Sequence, residues 1–140
     1  INSFGDLQID QHHTIEDVAI SMGEAFKSAL GNRNNIERYS SYESLVMDET
    51  ISNVSIDMSS RTLLKMKTSK LREYVGDFPT EMFEHFFISF VNALNFTCHI
   101  ETKGTNSHHI VEATFKSFTR ALKQALQRNN TNIASTKGTL

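Results

Sequence analysis

The chain has 140 residues and a mass of 15.9 kDa, which is room for one compact domain. Fourteen Lys and Arg against sixteen Asp and Glu give a formal net charge of −2, so we expect no broad basic surface for nucleic acid. The single cysteine, Cys98, excludes an intrachain disulfide and indicates a reducing compartment, the cytoplasm. The apolar runs are too short to span a bilayer, so no membrane partner is expected.

Strand and helix signals alternate along the chain. Polar and apolar side chains alternate over 6–10, which predicts a strand, and helical spacing predicts a helix over 13–30 that ends at Gly31. Alternation over 54–59 predicts a strand with a hairpin partner at 63–67. The spacing then predicts a helix over 80–95 with Pro79 in its first turn, a strand over 96–101 and a helix over 108–128. The apolar residues that recur at three- and four-residue spacing in the first helix are Ile15, Val18, Ala19, Met22, Phe26 and Ala29.

The chain contains an internal similarity at a shift of 96 residues. The shift sets residues 12–16, HHTIE, on residues 108–112, HHIVE, and the match continues down both helices. The predicted fold is therefore α+β, with two sheet-plus-helix halves, about 1–67 and 68–140, in a single domain over 1–140. Packing of these halves about a pseudo-twofold axis would bring the two similar helix starts together.

The repeated motif has the chemistry of a metal clamp. Residues four apart share one face of a helix, so His12 with Glu16, and His108 with Glu112, can converge on one cation. The second histidine of each pair points roughly 100° away round the helix and suits a different ion. Imidazole and carboxylate ligands without thiolate favour first-row divalent metals, and two such clamps suggest a dinuclear centre.

Simpler interpretations exist for each residue. A single His-His pair at a helix start is more often a capped, solvated turn than a ligand set, and only its repetition favours metal. Within the Phe-rich helix, His85 on its own is expected to be a core histidine with a satisfied hydrogen bond.

Five blocks, in order along the chain, carry a resemblance to a known family. They are 10–17 (DQHHTIED), 47–49 (MDE), 57–61 (DMSSR), 106–116 (NSHHIVEATFK) and 135–138 (STKG). Together they resemble imidazoleglycerol-phosphate dehydratase of histidine biosynthesis. The resemblance implies a duplicated α+β fold like that of the second domain of a small-subunit ribosomal protein. It also implies a homo-oligomer of 24 subunits with two Mn²⁺ ions per active site at subunit contacts.

The resemblance implies roles for individual residues. The implied metal ligands are His12, His13, Glu16, His85, His108, His109 and Glu112. The implied phosphate-binding residues are Arg38, Arg61, Lys116, Ser135 and Lys137. The residues expected to act in catalysis are His12, His13, Glu16 and Glu49.

Two features depart from the family pattern. Gln11 stands where the family commonly has Asp, and Ser60 and Thr62 stand where it has Gly and Pro, so the turn before Leu63 is expected to differ. The chain opens on Ile1, and the resemblance implies a preceding segment with one more metal-binding histidine and a proton-shuttling glutamate. We therefore expect the first half to be incomplete at its N-terminus.

The implied reaction is loss of water from D-erythro-imidazole glycerol phosphate to give imidazole acetol phosphate. An imidazolate form of the substrate, stabilised by the metals, would expel the neighbouring hydroxyl to give a diazafulvene-like intermediate. A carboxylate would then take the adjacent proton, and the enol would relax to the ketone. Two alternatives remain at this point, a dinuclear metal phosphoesterase and a non-catalytic metal-binding shell protein.

Overall fold

The computed structural model describes residues 1–40, 43–129 and 135, and shows the α+β architecture expected from the sequence. The helices are α1 (His12–Leu30), α2 (Glu81–Leu94) and α3 (Ser107–Ala125). The strands are β1 (Glu43–Met47), β2 (Thr50–Asp57), β3 (Leu63–Thr68), β4 (Tyr74–Val75), β5 (Phe78–Pro79) and β6 (Thr97–Lys103). Among the described residues, none of the three helices could span a lipid bilayer.

A four-stranded sheet runs in the order β1-β2-β6-β3. The β1-β2 and β2-β6 pairs are antiparallel, whereas β3 and β6 are parallel. Along β2 buried and accessible residues alternate, so one face of the sheet lies under the helices and the other is accessible. The sheet combines strands from both sides of the proposed boundary at 67–68, and the duplication stays a prediction.

The core is built around the phenylalanines of α2. Phe83, Phe87 and Phe90 are almost fully buried, and the Phe87 ring contacts Phe115 and Phe118 of α3 at centroid distances of 5.0 Å. On its other side, α2 packs against α1. The second helix thus lies between the two helices that begin with His-His. Cys98 is fully buried in this core, and its burial raises the pKa of the thiol to about 12.

Two predicted strand arrangements are wrong. Residues 7–9 form a turn, with the backbone N of Ile9 donating to the carbonyl of Asp6 (2.8 Å), and Leu7 and Ile9 are exposed. Polar and apolar alternation makes a strand only where a neighbour supplies a hydrogen-bonding ladder, and 6–10 has none in the described structure. The strand at 63–67 exists as β3, but it pairs with β6 in parallel and not with β2 as a hairpin.

Smaller differences concern the helices. Pro79 lies in β5 before the N-cap residue Thr80, not in the first turn of α2. Helix α3 ends at Ala125, and Arg128 forms an isolated bridge with Ile36 instead of a helical turn. Phe26 and Ala29 belong to the apolar spacing of α1 but are exposed, because α2 covers only part of the apolar face of α1.

A chain of buried hydroxyl groups joins α3 to the sheet. Ser52 Oγ lies 2.8 Å from Thr102 Oγ1 and 2.6 Å from Ser117 Oγ, and Thr102 Oγ1 lies 2.8 Å from Thr114 Oγ1. All four residues are almost fully buried. Because each buried hydroxyl needs its partner, this network allows few alternative positions of α3 on the sheet.

Gly23 is the point of closest approach between α1 and α2. A Cβ atom at Gly23 would lie 2.6 Å from Ala93 Cβ and 2.9 Å from the Phe90 backbone carbonyl oxygen. A backbone oxygen cannot rotate away as a side chain can. The absence of a Cβ at Gly23 therefore sets how close the two helices come.

The substitution Gly23→Ala is expected to destabilise the protein. Alanine gains about 1 kcal/mol in helix propensity. Forcing two packed helices apart costs about 1–3 kcal/mol, so the net change in the free energy of unfolding is expected to be a loss. Chemical denaturation measures it, with Ser21→Ala, at an exposed position of the same helix, as the neutral control. A Gly23→Ala protein at least as stable as the control would contradict this packing.

Candidate metal centre

The start of α1 places three ligand-type side chains together. Asp10 Oδ1 accepts a hydrogen bond from the backbone N of His12 (2.8 Å), the first residue of the helix. One ligand atom each from His12, Glu16 and His85 lies within 4.8 Å of the other two. The clamp predicted from the i, i+4 spacing on α1 is thus joined by a histidine of α2.

One atom of this group needs a partner. His85 Nε2 is buried without a hydrogen bond, although it lies 3.1 Å from Glu16 Oε1. A buried imidazole nitrogen without a partner is costly. A divalent cation between the imidazole lone pair and the carboxylate would satisfy both groups, and nitrogen and carboxylate oxygen are ligands that first-row divalent metals accept. The donor set therefore fits such an ion.

The second histidine of this pair has a different partner. His13 Nδ1 lies 2.7 Å from Asp6 Oδ2, and the hydrogen bond raises the pKa of His13 and lowers that of Asp6. His13 does not belong to the three-residue group at His85. It points away from that group, as the helical geometry predicts for adjacent residues.

The start of α3 repeats the arrangement of α1. Asn106, which is 96 residues after Asp10, accepts a hydrogen bond from the backbone N of His108 (2.9 Å). His108 Nε2 lies 3.1 Å from Glu112 Oε2, and Lys116 Nζ lies 2.7 Å from Glu112 Oε1. The hydrogen bond from Lys116 is the main cause of the lowered pKa of Glu112, with His108 contributing less. One stripe of α3 thus carries an imidazole, a carboxylate and an ammonium group one turn apart.

His109 is held from another part of the chain. Its Nδ1 lies 2.8 Å from Glu49 Oε2, in the turn between β1 and β2. Hydrogen bonds from His109 and from the backbone of Asn106 hold the pKa of Glu49 far below its usual range, and the same contact raises the pKa of His109. Asp48 Oδ2 is farther away, 3.7 Å from His109 Nε2.

Among the described residues, the two clamps form separate groups. In residues 1–40, 43–129 and 135, no group of three ligand-type side chains combines the start of α1 with that of α3. The described part of one chain therefore does not show the shared ligand group that a meeting of the two helix starts would form. The reason is that α2 packs between α1 and α3 and separates them.

Two of the predicted phosphate-binding residues meet at one carboxylate. Arg38 Nε lies 2.7 Å from Asp57 Oδ1, with Nη2 3.3 Å from Oδ2, and Arg61 Nη2 lies 3.7 Å from Oδ2. The hydrogen bond to Asp57 raises the pKa of Arg38. Ser135 is described and partly buried, while Lys137 lies outside the described residues.

A cavity of about 430 Å³ opens beside the α3 stripe. Its wall is mostly apolar and includes the turn between β4 and β5. The lining residues are Val75, Gly76, Phe78, His108, Val111, Glu112 and Phe115. The His108–Glu112 pair thus faces a space large enough for a small organic molecule.

Two carboxylates at these sites were not assigned a role from the sequence. Asp57 holds Arg38 and Arg61, and its i, i+4 spacing to Arg61 is a signal that could have revealed the second contact. Asp6 was placed only in a predicted strand, and no local pattern relates it to His13.

Comparison with known proteins identifies similar chains. A family model described as imidazoleglycerol-phosphate dehydratase matches residues 1–122. The whole chain is 47% identical over 140 residues to the histidine biosynthesis bifunctional protein HisB of Legionella pneumophila, and spans 39% of that protein. It is 46% identical over 144 residues to the imidazoleglycerol-phosphate dehydratase of Pseudomonas fluorescens, and spans 73% of it.

Solved structures show the same similarity. The crystal structure of imidazoleglycerol-phosphate dehydratase from Staphylococcus aureus matches with a TM-score of 0.84 and 36% identity, over 91% of this chain and 72% of that one. The crystal structure of the enzyme from Pyrococcus furiosus matches with a TM-score of 0.79 and 30% identity, over 93% of this chain and 72% of that one. These sequence identities and the match to the family model are sufficient to assign the chain to a family.

Proposed function

Because the chain belongs to the imidazoleglycerol-phosphate dehydratase family, as the sequence blocks predicted, we propose that it dehydrates D-erythro-imidazole glycerol phosphate to imidazole acetol phosphate in histidine biosynthesis. The observation that carries the proposal is the convergence of His12, Glu16 and His85 around a buried nitrogen that makes no hydrogen bond. The His108–Glu112 pair on α3, beside a cavity, supports it. We place this reaction in the cytoplasm.

The proposed cofactor is manganese, with two Mn²⁺ ions per active site. The ligands are drawn from His12, His13, Glu16, His85, His108, His109 and Glu112. When bound, the ions stabilise the imidazolate form of the substrate and so lower the cost of expelling hydroxide from the carbon beside the ring.

The proposed site lies between copies of the chain. The ligand group at α1 and the pair at α3 are separate within one chain, so two clamps can share a centre only when they come from different copies. A closed homo-oligomer, for which we propose 24 subunits, presents every copy with the same contacts and makes every site equivalent.

Residues at the start of α1 are suited to proton transfer. The reaction removes hydroxide from the carbon beside the ring and a proton from the next carbon, and the resulting enol becomes a ketone. The His13 side chain is 59% exposed, and its contact with Asp6 through Nδ1 holds the ring at the edge of the proposed site. With His12 and Glu16 it forms the catalytic group that we propose.

The proposed phosphate site consists of Arg38, Arg61, Lys116, Ser135 and Lys137. Arginine donors bind phosphate oxygens with charge-assisted hydrogen bonds. Arg38 is tightly held by Asp57, whereas the Arg61 side chain is 72% exposed and its contact with Asp57 is longer, so Arg61 can turn toward substrate. Lys116 lies one turn from Glu112, which links the phosphate site to the metal clamp.

The first test is the reaction itself. The manganese-loaded full-length protein, which includes the preceding segment that the resemblance implies, is expected to convert the substrate to a ketone. In it, His108→Ala is expected to reduce kcat/KM by more than about 100-fold, since even outer-shell partners of metal ligands contribute 10–100-fold. His99→Ala, which removes an exposed imidazole on β6, is the matched control and should keep full activity. Unchanged turnover in His108→Ala, or release of inorganic phosphate in place of a ketone, would contradict the proposal.

The second test separates phosphate binding from metal binding. Arg61→Gln is expected to raise KM by about 10–100-fold, the value of one or two charge-assisted hydrogen bonds, without changing manganese content. Lys70→Gln removes an exposed cation elsewhere and should leave KM unchanged. Steady-state kinetics and metal analysis on the same samples give both values. An Arg61→Gln protein with normal KM would exclude this residue from the phosphate site.

A further inference from the structure

The second histidine of each His-His pair meets a carboxylate through the same ring nitrogen. His13 Nδ1 lies 2.7 Å from Asp6, and His109 Nδ1 lies 2.8 Å from Glu49. The shift of 96 residues relates the two histidines but sets Asp6 on Thr102, not on Glu49. The same contact is therefore built twice, from unrelated parts of the chain.

The carboxylate of Glu49 has little freedom to turn. Its Oε1 accepts hydrogen bonds from the backbone N of Asn106 (2.7 Å), the backbone N of Thr105 (3.1 Å) and Thr50 Oγ1 (3.0 Å). Three donors on Oε1 direct Oε2 toward His109. Gly104 permits this arrangement, because a Cβ there would overlap the Thr50 hydroxyl.

A carboxylate at Nδ1 decides which ring nitrogen carries the proton. Ionised Glu49 can only accept, so a neutral His109 must carry its proton on Nδ1 and leave a lone pair on Nε2. Nε2 is then free to bind a cation, and the ring cannot rotate without losing its hydrogen bond. The same reasoning applies to Asp6 and His13.

We infer that Asp6 and Glu49 are positioning residues that fix the tautomer and the ring orientation of His13 and His109, so that each Nε2 faces the bound cation. The inference rests on the proposed function, since it concerns ligands of the proposed manganese centre. It also assigns Glu49 a role different from direct catalysis. Four hydrogen-bond donors hold its carboxylate, so it acts through His109 and not on substrate.

The variant Glu49→Gln gives a sharp test. The single carbonyl oxygen of the new amide is expected to stay with the backbone N–H groups of Thr105 and Asn106, which turns its NH₂ group toward His109. Nδ1 must then accept a hydrogen bond, and the ring proton moves to Nε2, the atom required for metal. The substitution therefore inverts the tautomer while keeping the size of the side chain.

Two measurements on the full chain report this change. Nitrogen-15 NMR of the metal-free protein, at a pH where the rings are neutral, is expected to show His109 protonated on Nδ1 in the original chain and on Nε2 in Glu49→Gln. Titration with Mn²⁺ alone is expected to show 10–100-fold weaker binding in the variant. Asp6→Ala is expected to release His13 into a mixture of both tautomers.

The neighbouring acid supplies the matched control. Asp48 lies in the same turn, its side chain is 80% exposed, and it is 3.7 Å from His109 Nε2. Asp48→Asn should keep the tautomer, because Asp48 lies near Nε2 and makes no contact with Nδ1.

Several outcomes would overturn the inference. An unchanged tautomer in Glu49→Gln, an unchanged Mn²⁺ affinity in Glu49→Gln, or the same tautomer change in Asp48→Asn would each do so. Neither measurement uses substrate. If both give the expected result and the protein makes no ketone, the proposed function fails while the positioning role stands.

Discussion

The buried imidazole nitrogen of His85 is the group that most constrains the account of this protein. Folding places it against Glu16, yet the two make no hydrogen bond. Burial of a polar atom that makes no hydrogen bond costs free energy that the rest of the fold must offset. A fold that tolerates this cost at a position shared by His12 and a carboxylate is suited to binding a cation there.

Helical geometry and packing together hold the ligands in place. The spacing of four residues places imidazole and carboxylate on one face, and Asp10 and Asn106 accept hydrogen bonds from the backbone N of His12 and His108. Behind α3, the buried hydroxyl network holds the helix on the sheet. Phenylalanine packing then keeps α2 between the two clamps, which separates within one chain the groups that the proposed centre requires together.

Much of this arrangement could be predicted from sequence, because its signals are local. The three helices follow from apolar spacing, and the pairing of His12 with Glu16 follows from the spacing of four. Long-range contacts give no such signal. The parallel pairing of β3 with β6, the contact of Glu49 with His109 and the meeting of Arg38 with Asp57 each join segments far apart in the chain. The turn at 7–9 was missed for a related reason, since alternation does not show whether a neighbouring strand is present.

The central claim, that one manganese centre is built from the clamps of two copies, is tested most directly by mixing two variants. The two variants are His12→Ala and His108→Ala, and neither can complete a shared site by itself. They are unfolded, mixed in equal amounts and reassembled. The manganese that stays bound after dialysis is then measured. A site is restored only when its α1 clamp comes from a His108→Ala copy and its α3 clamp comes from a His12→Ala copy. Each condition holds for about half of the sites, so random assembly is expected to restore about one site in four. Failure of the mixture to hold more manganese than either variant alone would contradict the account.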